Sequence, residues 1–540
     1  MSFLSETLSL GDVLVRSAHR DPDHEALVFP DVRSTYRSLL DRAIGRARSL
    51  VALGVEPGDH VGILMPNHMD VAEVLFGASL AGAIPVPINA RFKERELAYV
   101  VRDADLVVLV TTDVVEEHVD YVRLLHAAID GLAEAPDPRN LDLVTVPLLR
   151  TVACLGSGAG HAGMLTRDAF AALSADVDPT VIEERRLQVS LRDTCMMIYT
   201  SGTTADPKGC PLSHEALVRV ARALADRFHL GPDDHYWDPL PMFHMSVLLP
   251  MVAAFDSGAT FSCLNHFEPD IALEQIITER PTVMVPNFPT LTNALVEHPR
   301  WSEVDLERVR VVVNVGPEDL LRRYQAAFPH AVQVSAYGLS EAGGVVGYNE
   351  LTDSLDDRVT TGGRPYPGIE VQIVDPETLE KLPADVQGEI WVRGYCLFQG
   401  YWKDPEKQAE SVTRDGWLRS GDIGSLDPQG RVRYRGRLKD MLKVGGENVA
   451  AIEIESYLMT HPAVKLAQVV GMPDDRLVEV PAAFVEVFEG HQVTADELAE
   501  FCRGKIASFK IPRRIVFTDD WPLSATKIQK FRLRQRLLEE

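Results

Sequence analysis

The stretch Tyr199-Thr-Ser-Gly-Thr-Thr-Ala-Asp-Pro-Lys-Gly209 follows one tyrosine with four hydroxyl residues, two glycines and a single lysine. Small residues let backbone N–H groups approach a ligand, hydroxyls donate, and Lys208 adds charge, so the composition suits a loop that wraps polyphosphate. The spacing is not that of the common G-x-x-x-x-G-K-[ST] phosphate loop. Five residues separate Gly202 from Lys208, and a glycine rather than Ser or Thr follows the lysine. On either side, Met196-Met-Ile-Tyr199 reads as a strand. Glu215 to Phe228 reads as a helix, with Leu217, Val218, Val220, Ala221 and Leu224 at helical spacing. Strand, loop and helix in that order mark the place where parallel sheets set anion sites.

Working outward, short β-branched runs such as Val107–Val110 and Val311–Val315 alternate with longer amphipathic segments, which predicts an α/β protein. At 540 residues the chain exceeds one core and should divide. The texture changes near Gly436-Arg-Leu-Lys-Asp-Met-Leu-Lys-Val-Gly-Gly446. The expected division is therefore a large domain of sheets and helices over 1–436 and a small α/β domain over 437–540, with the boundary at Arg437–Asp440. The segment from about Val114 to Val189, with its small-residue run Gly156-Ser-Gly-Ala-Gly160, offers no chemistry to the sequence reading and is assigned to packing and surface.

A formal net charge of −25 argues against nucleic acid, whose phosphates need a basic face. The six cysteines are scattered, with no C-x-x-C and no Cys/His pairing at zinc spacing, which points to a reducing cytoplasm. Met1-Ser-Phe-Leu-Ser-Glu6 lacks the basic start of a secretory signal. The uncharged runs Val74–Ala90 and Pro239–Phe255 are short for a membrane span and are interrupted by prolines, so no integral membrane segment is expected. Oligomeric state stays open, a homo-oligomer included.

Four further segments join the opening one: Tyr337-Gly-Leu-Ser-Glu341, Trp417-Leu-Arg-Ser-Gly-Asp422, Gly436–Gly446 and Pro522-Leu-Ser-Ala-Thr-Lys-Ile-Gln-Lys530. Together, and in this order, they resemble the adenylate-forming superfamily of acyl-CoA synthetases, luciferases and peptide-synthetase adenylation domains. The resemblance implies that a carboxylate attacks the α-phosphate of ATP to give an acyl-adenylate and pyrophosphate. A thiol then expels AMP. It further implies that Thr200, Ser201, Gly202, Thr203, Thr204 and Lys208 hold the β- and γ-phosphates. Gly338, Leu339, Ser340 and Glu341 complete the site, with Glu341 the ligand for Mg²⁺. Ser340 stands where the family usually has Thr.

By the same resemblance Tyr337 lies against adenine, with Gly316, Pro317 and Glu318 opposite. The chain departs from the family's Gly-Gly pattern there, reading Asn314-Val-Gly-Pro-Glu-Asp319. Asp422 is expected to accept from the ribose hydroxyls and Arg437 to contact ribose or phosphate. Lys527 is the expected catalytic lysine, although the glycine that the family usually has between this threonine and lysine is absent, Thr526 preceding Lys527 directly. Lys439 is placed at the hinge and Gly445 and Gly446 along a pantetheine tunnel. Pro241-Met-Phe-His-Met-Ser246 resembles the segment lining the acyl pocket. His244 stands where amino-acid-activating relatives carry an aspartate for the α-ammonium. A buried ammonium without a counter-charge is costly, so a plain organic acid is favoured. His244 is expected to gate the pocket or touch the carboxylate, with Trp237, Asn287 and Phe288 as further walls.

No carrier-protein segment follows Glu540, so coenzyme A is the simplest thiol. The expected protein is an acid–CoA ligase using ATP, Mg²⁺ and coenzyme A on a small carboxylic acid. Fatty, aromatic, terpenoid and steroid-derived acids all stay open. The alternatives are a stand-alone adenylating enzyme that loads a separate carrier protein and a non-catalytic nucleotide-binding relative.

Overall fold

The computed structural model describes residues 8–115, 119–200, 206–444, 447–474, 476–524 and 527–539, and the strands, partners and absences given below are those of the described residues. The larger part of the chain is built on two sheets. One runs Val332–Val334, Val311–Asn314, Val283–Asn287, His235–Trp237, Thr260–Ser262, Glu25–Phe29 and Val32–Thr35, parallel except for its last pair. The other runs Ile84–Pro87, His60–Leu64, Leu106–Thr111, Thr151–Cys154 and Leu165–Thr166, all parallel. Parallel strands need helical crossovers and covering on both faces. Leu106–Thr111 is accordingly buried along its whole length, and helices Tyr36–Ala52 and Met69–Leu80 pack against each other in the surrounding core.

The uncharged runs Val74–Ala90 and Pro239–Phe255 lie within this core. The first supplies part of Met69–Leu80 and the strand Ile84–Pro87, and the second ends in the buried helix Met245–Ser257. No described helix is long and apolar enough to cross a membrane.

The opening loop has a different setting from the one its flanks suggest. Thr194–Thr200 does not feed a helix from a parallel sheet. It pairs antiparallel with Lys208–Ser213 in a two-stranded hairpin, with Thr200 opposite Lys208. The run Cys210-Pro-Leu212 is buried and continues the pairing, so Lys208 opens a strand instead of closing a loop. The helix His214–Phe228 follows only after Ser213, whose hydroxyl caps it by accepting from the Ala216 N–H.

That helix start is also tied to the beginning of the described chain: the Leu10 N–H donates to His214 Nδ1 at 2.9 Å. Nδ1 can accept only if it carries no proton, and burial lowers the His214 pKa from 6.5 to about 4. Burial does the same to His235, again to about 4. A histidine whose folded pKa is depressed contributes stability that is fully present above its unfolded value. That contribution is lost as pH falls from about 6.5 through about 4, and each such group accounts for roughly 3 kcal/mol. Urea midpoints measured between pH 7 and pH 4 should fall accordingly. His214→Asn keeps an acceptor for Leu10 without a titrating ring, so it should flatten the slope by one histidine's share.

The chain beyond this part forms a smaller α/β unit. Its sheet runs Glu447–Ala450, Met441–Val444, Val478–Val487 and Val464–Asp474, and Arg514–Phe517 pairs with Val478–Val487. Leu442, Val449, Ile454, Leu458, Val469, Val485 and Leu498 make an apolar core of its own. A four-stranded antiparallel sheet from Ile369–Val374 to Val432–Arg437 precedes it, and the 3₁₀ turn Leu438–Asp440 joins the two.

Candidate active site

Lys208 and Glu341, far apart in sequence, converge on one tyrosine. The Tyr401 hydroxyl donates to Glu341 Oε1 at 3.0 Å, and the Lys208 ammonium lies 5.6 Å from the centre of the Tyr401 ring. Backbone bonds from a single segment hold the three together. Phe398 N–H donates to the Glu341 carbonyl, Gln399 N–H to that of Pro211 and Trp402 N–H to that of Gly209, each at 2.9 Å. Residues 398–402 therefore bridge the hairpin to the 3₁₀ turn Ser340–Ala342. Burial, and then the Glu341 charge, push the Tyr401 hydroxyl far above its ordinary pKa, so it stays a donor.

Lys208 Nζ also donates to Asp404 Oδ2 at 3.0 Å. Asp404 caps the helix Pro405–Ser411, its Oδ1 accepting from the Lys407 N–H at 2.9 Å. That amide and then Lys208 hold the Asp404 carboxyl below the usual range. A cleft of about 290 Å³ opens here, lined among others by Tyr99, Asp206, Lys208, Trp402 and Lys403. Sequence reading passed over Tyr401 and Asp404. The aromatic pair Tyr401-Trp402 followed by Lys403-Asp404 is the only local signal, and it gains meaning only when the fold lays it on Gly209.

The Tyr337 side of the site is a second cluster. Gly338 admits no side chain, because a Cβ there would lie 2.1 Å from the Gly344 carbonyl oxygen. Tyr337 donates from its hydroxyl to Asp422 Oδ2 at 2.8 Å, and Arg437 Nε lies 2.8 Å from Asp422 Oδ1. Strand pairing sets this up, since Asp422 is opposite Arg437 in the ladder of Leu418–Leu426 with Val432–Arg437. Asp422 is only 2% exposed, and burial followed by its charge keeps the Tyr337 hydroxyl protonated. The ring of Tyr434 lies over that of Tyr337, with centroids 6.2 Å apart and planes at 29°.

The remaining predicted residues fall into three groups. At the carboxyl edge of the large sheet, Asn287 stands opposite Asn314, and its carbonyl accepts from the Val315 N–H at 2.8 Å. This brings Asn287 and Phe288 beside Gly316 and Pro317. Pro317 is the cap residue of helix Glu318–Ala327, so its missing N–H costs no helical bond, and the exposed Glu318 carboxylate pairs with Arg322 at 2.6 Å. His244, half-buried, caps helix Met245–Ser257 and lies 5.4 Å from the Phe243 ring, centroid to centroid.

Trp237 does not line this edge. It is fully buried among Leu264, Leu273, Met284 and Val312, and its indole N–H donates to Gln275 Oε1 at 2.9 Å. Its place is in the packing between sheet and helix, which removes it from the set of pocket walls.

The third group concerns the small unit. Lys439 lies in the 3₁₀ turn Leu438–Asp440, where burial lowers its pKa. Lys527 is in the strand Lys527–Ile528, paired with Leu523–Ser524. Its side chain and residues 201–205, 445 and 446, which include Ser201, Gly202, Thr203, Thr204, Gly445 and Gly446, lie outside the described residues. Lys530 donates to Glu455 at 2.5 Å beside a cavity of about 170 Å³ that Arg437, Tyr434 and Asp440 also line.

Residues 14–402 match the model of the AMP-binding enzyme family, and residues 453–527 match that of the AMP-binding enzyme C-terminal domain. YngI of Bacillus subtilis (strain 168), which carries an acyl-CoA synthetase name, is 35% identical over 98% of this chain and 97% of its own. The mitochondrial medium-chain acyl-CoA ligase ACSF2 of Bos taurus is 33% identical over 98% of this chain and 87% of its own. Among solved structures, the anthranilate CoA ligase AuaEII in complex with anthranoyl-AMP superposes with a TM-score of 0.84. Its identity is 26%, over 99% of this chain and 98% of that one. Both family models are matched and these relatives are spanned nearly end to end, so the chain belongs to the AMP-binding enzyme family and is an AMP-forming acid–CoA ligase.

Proposed function

We propose that this ligase works in two half-reactions at the site around Tyr401 and Asp422, with an apolar acid of medium chain length as substrate. In the first, a carboxylate oxygen of the acid attacks the α-phosphorus of ATP. The bond from that phosphorus to the bridging oxygen breaks, and pyrophosphate leaves. In the second, the thiol of coenzyme A loses its proton to solvent and attacks the acyl carbon, and AMP departs with the carboxylate oxygen it gained. The convergence of Lys208 and Glu341 on Tyr401 carries this reading, since it sets a cation and a hard oxygen ligand side by side where a triphosphate needs both.

Lys208, Thr200 and residues 201–204 hold the β- and γ-phosphates in this account. Glu341 fits Mg²⁺, a cation that takes few protein carboxylates and fills its shell with phosphate oxygens and water. When bound there, it would neutralise phosphate charge. Asp422 and Arg437 serve the ribose, and a diol reaching Asp422 must share it with Tyr337 and Arg437. Gly316, Pro317, Tyr337 and Gly338 frame the adenine. Lys527 meets the carboxylate and the α-phosphate; the commitment of Lys530 to Glu455 favours Lys527 for this role. The division into 1–436 and 437–540, with Lys439 as pivot, lets Lys527 withdraw and Gly445 and Gly446 flank the incoming thiol arm.

The substrate class rests on the ACSF2 relatives and on His244 standing where an amine-binding aspartate would be. Mass spectrometry of the thioester formed from a series of straight-chain, aromatic and amino acids tests it. The expected outcome is acyl-CoA with a maximum at medium chain length and none from amino acids. Accumulation of acyl-AMP without acyl-CoA would contradict the ligase reading. Tyr401→Phe removes one hydrogen bond to a carboxylate, so it should lower kcat/KM for ATP about tenfold with little change in fold.

A further inference from the structure

A cluster of three different metal-binding side chains joins Asp113 to Cys154 and His161, two residues of the segment from Val114 to Val189. Leu106–Thr111 and Thr151–Cys154 are neighbouring parallel strands, with Thr111 opposite Cys154. Asp113 lies just beyond the end of the first strand and Cys154 ends the second. The loop that follows returns His161 to them. One carboxylate oxygen of Asp113, the Cys154 sulfur and a ring nitrogen of His161 all lie within 4.8 Å of one another. Tetrahedral bonds of about 2.0 to 2.3 Å would place such donors roughly 3.3 to 3.8 Å apart, so a bound ion would draw the wider pairs together and replace the 2.9 Å hydrogen bond between His161 Nε2 and Asp113 Oδ2.

The surroundings hold the donors in place. Ser157 fixes the Asp113 carboxylate from two sides, its N–H donating to Oδ1 at 2.5 Å and its hydroxyl to Oδ2 at 2.6 Å. This approach depends on Gly156, because a Cβ there would fall 1.5 Å from Asp113 Oδ1. His161 Nε2 lies 2.9 Å from Asp113 Oδ2. Asp113 and Cys154 are buried, whereas the His161 side chain is 20% exposed and gives the cluster access to solvent. Arg167, whose charge is felt at Cys154, is paired with Asp70, with bonds of 3.1 and 2.6 Å to its two oxygens.

We propose that Asp113, Cys154 and His161 form a binding site for a thiophilic divalent cation of the zinc or cobalt type, with the fourth position open to water. A carboxylate, an imidazole and a thiol suit such a borderline ion and not the oxygen-seeking Mg²⁺. A carboxylate and a thiolate also balance its two charges. The site is separate from the residues of the ligase reaction and does not rest on their assignment. Burial first, among the influences on it, pushes the Cys154 thiol up to about 11, so it holds its proton at neutral pH. Formation of the metal–sulfur bond releases that proton to water.

Anaerobic titration of the full chain with Co²⁺ tests the proposal. One equivalent should bind and produce a near-ultraviolet thiolate-to-cobalt absorption that Zn²⁺ bleaches. Cys154→Ser should remove the absorption. His161→Gln, at a partly exposed position compatible with folding, should weaken binding by about 10²-fold. Absence of the absorption in the parent chain would overturn the proposal, as would its persistence in Cys154→Ser or an unchanged affinity in folded His161→Gln.

Discussion

On the proposed role of Lys527, Lys527→Ala should lower the rate of acyl-adenylate formation by about 10²- to 10³-fold and leave thioester formation from supplied acyl-AMP within a few-fold of the parent. As the acid attacks the α-phosphorus, negative charge spreads over the phosphoryl oxygens, and a positioned ammonium is worth most at that moment. The second half-reaction expels AMP and forms no new bond to phosphorus, so it has less need of that ammonium. The strand Lys527–Ile528 is backed by Leu523–Ser524, a pairing that needs no lysine side chain, so truncation should spare the fold. Single-turnover assays of each half-reaction read the split. Equal loss in both would reassign Lys527 to structure, and an equal split with Lys530→Ala would move the role to Lys530.

Glu341→Gln should produce the second large effect, a loss of about 10²-fold or more in adenylation. The substitution is well isolated by its contacts. A glutamine Oε1 still accepts from Tyr401, and the bond from Phe398 N–H goes to the backbone carbonyl, so the turn Ser340–Ala342 keeps its two ties. Only the negative charge is lost, and with it the hard ligand suited to Mg²⁺. Partial recovery at raised Mg²⁺, with an unchanged thermal midpoint, is the expected pattern. Adenylation within about threefold of the parent at ordinary Mg²⁺ would remove Glu341 from the metal role.

The five segments were enough to place Lys208, Glu341, Asp422 and Arg437 in a common family pattern, because each carries an unusual local composition. The α/β architecture likewise followed from the alternation of β-branched runs with amphipathic ones. Strand pairing was not legible. Thr194–Thr200 looks like a strand of a parallel sheet, yet its partner is the very next run, Lys208–Ser213, because Cys210-Pro-Leu212 is buried beside it. Tyr401 and Asp404 were missed because their meaning lies in the contact of residues 398–402 with the hairpin, which no local spacing encodes. Trp237 was misplaced for the opposite reason. A large aromatic near a pocket motif reads the same whether it lines a cavity or fills a core, and its bond to Gln275 decides for the core. Cys154 and His161 lacked zinc-motif spacing and were brought together by parallel neighbours and a returning loop.

The two-step route itself is tested most directly with a carboxylic acid labelled with ¹⁸O in both carboxylate positions. Attack on the α-phosphorus leaves one labelled oxygen bridging acyl and phosphate groups, and thiol attack at carbon then hands it to AMP. Mass spectrometry of the products should find one ¹⁸O in AMP for each acyl-CoA formed and none in pyrophosphate. Unlabelled AMP, or label in released phosphate or pyrophosphate, would contradict the account.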